Sequence, residues 1–508
     1  MPRSAEYKPL LFTTTMRSPE RMGRFLGILL EHNGETLNDA LAEKVAGELI
    51  ARGLYAPTKM SASAKGKIKS GSALSRREKA KILRDNPQLH KEAGFRRGWP
   101  SRFDTWFKFA KELGFVFYAP GEKIAFSGIG KKLAGDERPK FQQMAFLNAF
   151  AKYQRHNPFR RARNENAPLL LLLSVINLLN QDADFNGAGI SMLELPLLLY
   201  WKDGDADKLY RRIKQLRRKH GYSPSWEVIV GICQDEIMDG EDVKRSAKSI
   251  MNDYPDEFVR KMRLTGLVSL RGGGRFVDIN RNEGKKTRYV LKKYARYGRH
   301  ETEREYFDYV SEMDDNLVSL SAKSVSQAAH DKFLSKWNAA YPWETIKAEM
   351  LVLARERLSK DDVLKYLPNP VRLEFLTALA IKSRLPETAV RPNYPVDDEG
   401  LPTSTAAGNR GDIECVERGA DGVLVEVTLL QGAAQARNEA WPIERHLAGF
   451  QKRLPGAMCR FVAPSIYADT ASQIGWLFDT KRLLVVPQTI HEFVRHLDAK
   501  SPLYQARK

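Results

Sequence analysis

The chain has 508 residues, enough for roughly three or four domains and a sizeable core. Its 82 Lys and Arg outnumber 62 Asp and Glu, a formal net charge of +20 at pH 7. With 43% hydrophobic residues, the sequence is neither fibrous nor broadly disordered. Three widely spaced cysteines (Cys233, Cys415 and Cys459) exclude a disulfide framework and a zinc-ligand set, and suit a reducing cytoplasm as small buried apolar residues.

The charge is uneven. Residues 1–340 carry 60 basic and 41 acidic side chains, whereas residues 341–508 carry 22 and 21. A basic two thirds joined to a near-neutral third implies two jobs, one of them contact with a polyanion. The opening residues lack the apolar run of a secretory signal. The most apolar segment, 168–180, is too short to span a bilayer and carries two asparagines, so it reads as a buried helix. No cationic helix has a broad apolar face, which favours nucleic acid over a membrane surface.

In chain order, Phe12–Arg17 reads as extended, followed by a helix with Ser18 at the N-cap, Pro19 at the first position, and Met22, Phe25, Leu26 and Leu29 on one apolar face. Residues 59–98 hold twelve Lys or Arg against three acids. They read as a mobile loop at first, either a solvated linker or a segment that settles along phosphates. A helix over 101–114 leads into a hairpin, Phe115–Tyr118 and Ile124–Phe126. The pattern returns at 255–292, where a turn through Gly272-Gly273-Gly274 calls for positive φ. A helix followed by a hairpin is the tail of a winged helix. Between them lies a helix over 205–220 with an apolar stripe of Leu209, Ile213 and Leu216. Its arginines make either a solvated face or a DNA-contacting one. Arg17, Arg96, Arg97, Arg211, Arg212, Arg217, Arg218, Arg271 and Arg275 are the candidate DNA contacts, more suited to phosphates than to base edges.

A polar helical connector follows, over about 296–345. The last third alternates helices (345–358, 371–382, 433–452, 466–478, 489–498) with strands (411–416, 423–429, 458–463, 483–486), around a Pro-rich loop at 386–408. That order implies an α/β domain with a mixed central sheet. The expected organisation is therefore multidomain: an α+β winged-helix-type recognition region (1–155 and 156–298), a linker (299–342) and an α/β domain with a mixed sheet (343–508).

The chemistry concentrates in that last part. Val423–Leu429 is an apolar strand with one carboxylate, Glu426, in its middle. Either it is an edge strand with Glu426 in solvent, or the carboxylate has a partner. Asp421-Gly422 signals a hairpin turn, and pairing back to Gly411–Val416 brings Asp412 beside Glu426. Two converging carboxylates, with the Val427 carbonyl, suit Mg²⁺, which would activate water and offset charge at phosphorus. Glu374 sits among apolar neighbours on helix 371–382. Glu439 and His446 are seven residues apart, on one helical face unless Pro442 restarts the helix; a lone His there is otherwise structural.

This arrangement resembles the PD-(D/E)XK nuclease core, with Glu426-Val427-Thr428 in place of Glu-X-Lys, so Thr428 stands where a lysine is usual. The whole chain resembles the AlwI-like type IIS restriction endonucleases and their nicking relatives. The resemblance is carried by Phe12-Thr13-Thr14-Thr15-Met16-Arg17-Ser18-Pro19-Glu20-Arg21 with Phe25-Leu26, by Asn157-Pro158-Phe159, and by the Leu-rich helix after Pro168. Glu426-Val427-Thr428-Leu429, Asn438-Glu439, Pro442–Leu447 and the spacing Glu374–Asp412–Glu426 complete it.

The resemblance implies a bacterial, cytoplasmic enzyme that binds double-stranded DNA at a short asymmetric site. With Mg²⁺, or Mn²⁺ substituting, it hydrolyses a phosphodiester a few base pairs away, leaving 5′-phosphate and 3′-hydroxyl ends. Glu374, Asp412, Glu426, Glu439 and His446 carry over as the active-site set. A transient homodimer or a separate small subunit would cut the second strand; without either, the enzyme nicks. A cognate DNA methyltransferase is the expected functional partner. The competing expectations are a winged-helix regulator with an inactive α/β domain, and cleavage of branched DNA or RNA.

Overall fold

A computed structural model describes residues 6–9, 19–135, 139–160, 162–185, 187–241, 245–417 and 422–504. Arg17, Ser18 and the rest of the threonine-rich opening lie outside them, as does Asp421. Among the described residues no helix is long and apolar enough to cross a membrane.

The first two thirds are mainly helical. The apolar face expected after Pro19 forms the helix Met22–Leu30, with Met22, Phe25, Leu26 and Leu29 buried. Residues 59–98 are more ordered than the expected loop. Ser61 caps a helix over Ala62–Ser70, and Ser75 with Glu78 forms a capping box on Arg76–Asp85. Local side-chain caps satisfy amides that a Ser/Lys/Gly-rich composition would otherwise leave to water. Helix Trp99–Glu112 runs into the short hairpin β1 (Val116–Phe117) and β2 (Ala125–Phe126). Pro168–Gln181 is the expected buried helix.

A strand that sequence reading missed, β3 (Ile190–Ser191), turns the second hairpin into a three-stranded sheet. It pairs with β5 (Phe276–Ile279), which pairs with β4 (Val268–Arg271). Gly272, Gly273 and Gly274 turn β4 into β5 with φ of 60°, 65° and 86°. The helical connector is made of three helices, Glu303–Ser311, Asp315–Ser319 and Gln327–Ala340.

The last third is a mixed five-stranded sheet covered by helices. Its strands are β6 (Ala389–Pro392), β7 (Ile413–Val416), β8 (Gly422–Val427), β9 (Met458–Ala463) and β10 (Val485–Thr489), in the order β10-β9-β8-β7-β6. β6, β7 and β8 are antiparallel, while β8, β9 and β10 are parallel. The edge strand β6 lies inside the expected Pro-rich loop, where four residues bounded by prolines carry too little periodicity to be read. β8 is apolar apart from Glu426 because both faces are covered. Val423 and Val425 join the main core, which extends from Met22 to Leu503. Leu424 faces a second cluster with Ile443, Leu447 and Phe450 of helix Ala440–Gln451. Glu426 shares the parity of Leu424, so it too projects toward that helix.

The single helix expected over 433–452 is two, Gly432–Asn438 and Ala440–Gln451, meeting at Glu439. Pro442 has no N–H to continue the first helix and is accommodated in the first turn of the second.

Candidate active site

The register of β7 on β8, with Ile413 opposite Val425, continues one step to place Asp412 opposite Glu426. Asp412 Oδ2 accepts a hydrogen bond from the Val427 amide at 2.8 Å, so the strand end itself orients the carboxylate. Gly411 makes the approach possible. A Cβ there would lie 2.6 Å from Glu426 Oε1 and 2.4 Å from Leu424 Cδ1.

Glu426 is buried and faces His446, Nδ1 to Oε1 at 2.9 Å; the other ring nitrogen faces the Gly408 carbonyl at 3.2 Å. A neutral imidazole has one N–H, yet both nitrogens meet oxygens. Burial pushes the Glu426 carboxyl well up and the His446 imidazole down. Both shifts favour a neutral pair in which Glu426 donates to Nδ1 and Nε2–H donates to Gly408.

Glu374, on helix Asn369–Arg384, is buried and accepts from the Ala406 amide at 2.9 Å. Burial, then repulsion by Asp412, raises its pKa well above the ordinary value. Asp412 is raised for the same two reasons, with Glu426 as the repelling charge. Glu439 is raised by burial and bonded to the Thr428 hydroxyl. That hydroxyl also accepts from the Leu430 amide at 3.0 Å. Thr428 therefore presents a hydroxyl tied to Glu439.

The structure thus brings Glu374, Asp412, Glu426, Glu439 and His446 into one cluster. The charges that act on Asp412 and Glu426 are all carboxylates, with no Lys or Arg among them. Among the described residues no three His, Cys, Asp or Glu side chains form a ready metal-ligand set. The donor set is instead two carboxylates on adjacent strands and the Val427 carbonyl. These are hard oxygen donors whose mutual repulsion a divalent cation would relieve, and they fit a Mg²⁺ ion that keeps waters of its own.

Sequence reading missed two residues that set this geometry. Asn393 donates from its amide to the Asp412 carbonyl at 2.9 Å and from Nδ2 to the Gly411 carbonyl at 2.7 Å. Gln435, fully buried, ties the Leu430 and Ser465 carbonyls and the Tyr467 amide together behind Thr428. A loop Asn next to an edge strand carries no sequence signal. Gln435 lies on the buried side of a short helix, and that placement was a readable one.

The candidate DNA contacts divide. Arg97, Arg211 and Arg275 are exposed. Arg96 is exposed and paired with Asp39 and Glu43, Arg218 with Asp184, and Arg212 with both oxygens of Glu236. Two need correction. Arg217 is buried in a two-pronged pair with Glu194 at 2.8 Å and bonds the Ala188 and Gly189 carbonyls. It lies one turn beyond Ile213, on the apolar stripe, and faces the core. Arg271 is held by Asp278 and Asp398, each at 2.6 Å, and by Glu399. It joins the second hairpin to the 396–403 loop of the last third instead of facing a ligand. The three cysteines are free and buried.

The molecule is an α/β protein with a buried acidic centre at the end of a strand hairpin, attached to a basic helical region. The chain belongs to the AlwI restriction endonuclease family, a family of DNA endonucleases, whose model matches residues 111–335 and 342–496. No curated protein matches the sequence. Among solved structures, the small subunit of the heterodimeric restriction endonuclease R.BspD6I is 25% identical, over 31% of this chain and 82% of that one, with a TM-score of 0.26. Restriction endonuclease FokI is 11% identical over 98% of this chain and 97% of its own, TM-score 0.26. FokI bound to DNA is 12% identical over 95% of each, TM-score 0.24. All three superpose loosely.

Proposed function

We propose that the chain is a Mg²⁺-dependent, PD-(D/E)XK-like type IIS endonuclease that reads a short asymmetric duplex site and cuts a few base pairs outside it. The observation that carries this reading is Asp412 opposite Glu426 across the β7–β8 hairpin, within a carboxylate cluster that, among the described residues, pairs with no Lys or Arg. Asp412, Glu426 and the Val427 carbonyl would hold the ion, with Mn²⁺ able to substitute. When bound, Mg²⁺ supplies acidity to water and offsets charge developing at phosphorus and on the leaving 3′ oxygen.

The remaining steps belong to the chain's own groups. The Val427 amide fixes Asp412, and the Ala406 amide fixes Glu374. His446 holds Glu426 and takes up its proton when the carboxylate is needed in ionised form. Glu439, oriented by Thr428, stands in for the usual lysine. It accepts the proton of the attacking water, leaving a 5′-phosphate and a 3′-hydroxyl.

Residues 1–155 and 156–298, with their helix-and-hairpin units acting as winged-helix-type readers, would grip DNA. Exposed Arg97, Arg211 and Arg275, with Arg17, Arg96, Arg212 and Arg218, would contact phosphates. Residues 299–342 would link them to the nuclease domain, 343–508. One centre per chain cuts one strand, so a transient homodimer or a separate small subunit would complete a double-strand break, and the chain alone would nick. A DNA methyltransferase would protect the host's own sites in the bacterial cytoplasm.

Incubation with Mg²⁺ and a sequence-rich plasmid tests the reading. It should give discrete, site-dependent products, and Asp412→Ala should bind DNA without cutting it. Inertness across many sequences counts against it. Conversion of supercoiled plasmid to open circle alone, at every enzyme concentration, selects nicking.

A further inference from the structure

A second charged centre lies beside the carboxylates. An open pocket of about 350 Å³ is lined by Gln327, Arg391, Asn393, Arg410, Glu414 and Arg453. Arg391 on the edge strand β6 is the cross-strand partner of Glu414 on β7, and side chains alternate along a strand. Glu414 therefore projects to the same side as Asp412, two residues earlier, and as Glu426 opposite it. Asn393 physically joins the two centres, since it bonds the Gly411 and Asp412 carbonyls and also approaches Glu414 Oε1 at 3.4 Å.

The three arginines are not equivalent. Arg453 spends its charge on both oxygens of Glu414, at 3.0 and 2.6 Å. Arg391 and Arg410 are exposed, and among the described residues neither has a carboxylate within ion-pairing distance. Two guanidinium groups are thus left to face a pocket at an open sheet edge, one hydrogen-bonded residue away from a cluster of like-charged carboxylates.

Such a cluster repels a phosphate backbone until that repulsion is offset, and guanidinium groups are well suited to phosphate oxygens. We infer that this pocket seats a phosphate of the cut strand next to the scissile one, held by Arg391 and Arg410, with Glu414 and Arg453 forming its wall. The inference rests on the nuclease reading above. Arg391 and Arg410 are positioning residues in it. They fix the register of the strand against Asp412, where a misplacement of an ångström can cost about 10²-fold in rate.

The test pairs an Arg391→Gln/Arg410→Gln double variant with duplex substrates in which single phosphates near the cut are replaced, one at a time, by neutral methylphosphonates. The variant should keep the wild-type unfolding midpoint and bind the uncut site in EDTA only modestly more weakly, as the loss of one phosphate contact among many requires. Its single-turnover cleavage should be slower by about 10-fold to 10²-fold. One methylphosphonate beside the scissile bond should slow the wild type comparably and slow the variant no further. Additive losses at every position, or a variant as fast as the wild type, would overturn the inference while leaving the nuclease reading intact. A wild-type chain that cuts no duplex overturns both.

Discussion

The two halves of the molecule treat buried charge in opposite ways. In the basic region three charged centres carry their counter-charge within the chain: Arg217 with Glu194, Lys261 with Glu257, and Arg271 with Asp278, Asp398 and Glu399. In the last third, buried Glu374 and Glu426 and half-buried Asp412 and Glu439 act on one another. The first arrangement is complete in the folded chain. The second leaves carboxylates facing one another, the arrangement that the proposed cation would relieve. Charge that is paired internally holds architecture together, and charge left uncompensated marks the place where chemistry is expected.

Breaking a completed pair should have the largest effect on stability. Arg217→Ala strands Glu194 in the core and should cost about 3–5 kcal/mol in denaturant unfolding. A loss under about 1 kcal/mol would mean that the pair is solvated after all.

The uncompensated set should behave in the reverse sense. Glu426→Gln should lower cleavage by about 10²–10³-fold or more, yet stabilise the metal-free fold at neutral pH. Retained cleavage would remove Glu426 from the centre.

Gly411→Ala drives a methyl group into Leu424 and Glu426, and should cost about 1–3 kcal/mol by overpacking. Cleavage should fall with it, measured at a temperature where the variant is still folded.

The pH dependence follows from the raised carboxyl pKa values. The metal-free folded chain keeps protons on this cluster at pH values where the unfolded chain has lost them, so its stability should fall as pH rises above the ordinary carboxylate range of ~4. Thermal midpoints in EDTA from roughly pH 5 to pH 8 should drop more steeply for the wild type than for Glu426→Gln. Excess Mg²⁺ should raise the midpoint most at the alkaline end. Equal slopes for the two proteins would contradict the burial of an uncompensated Glu426.

The smallest effect belongs to the basic segment. Ser75→Ala removes one half of a capping box on an exposed helix and should cost about 1 kcal/mol or less. A null result would return residues 59–98 to the loop that composition suggests.

Much of this contrast was legible before any coordinates. Charge arithmetic separated the basic region from the neutral one. The apolar strand interrupted by Glu426, and its antiparallel pairing back to Asp412, located the carboxylate pair. The sequence also placed helices at 168–180, 205–220 and 255–266, because apolar runs and amphipathic spacing are local properties. Arg217 has its burial written in its i+4 spacing from Ile213 on the apolar stripe, whereas its residue type alone suggests a phosphate contact.

Other features had no local signal to read. β6 exists because β7 offers it a partner, β3 because β5 does, and neither is long enough to show a period of its own. Arg217 meets Glu194 across 23 positions, Arg271 meets Asp398 across 127, and Asn393 reaches Gly411 across 18, and none of these separations follows from a local period. The sequence by itself determined where apolar faces and carboxylates lie along the chain, since both follow from residue type and spacing. Only the tertiary structure decided which charges meet a partner. Desolvation and pairing are properties of neighbours in space, and the chain order does not specify them.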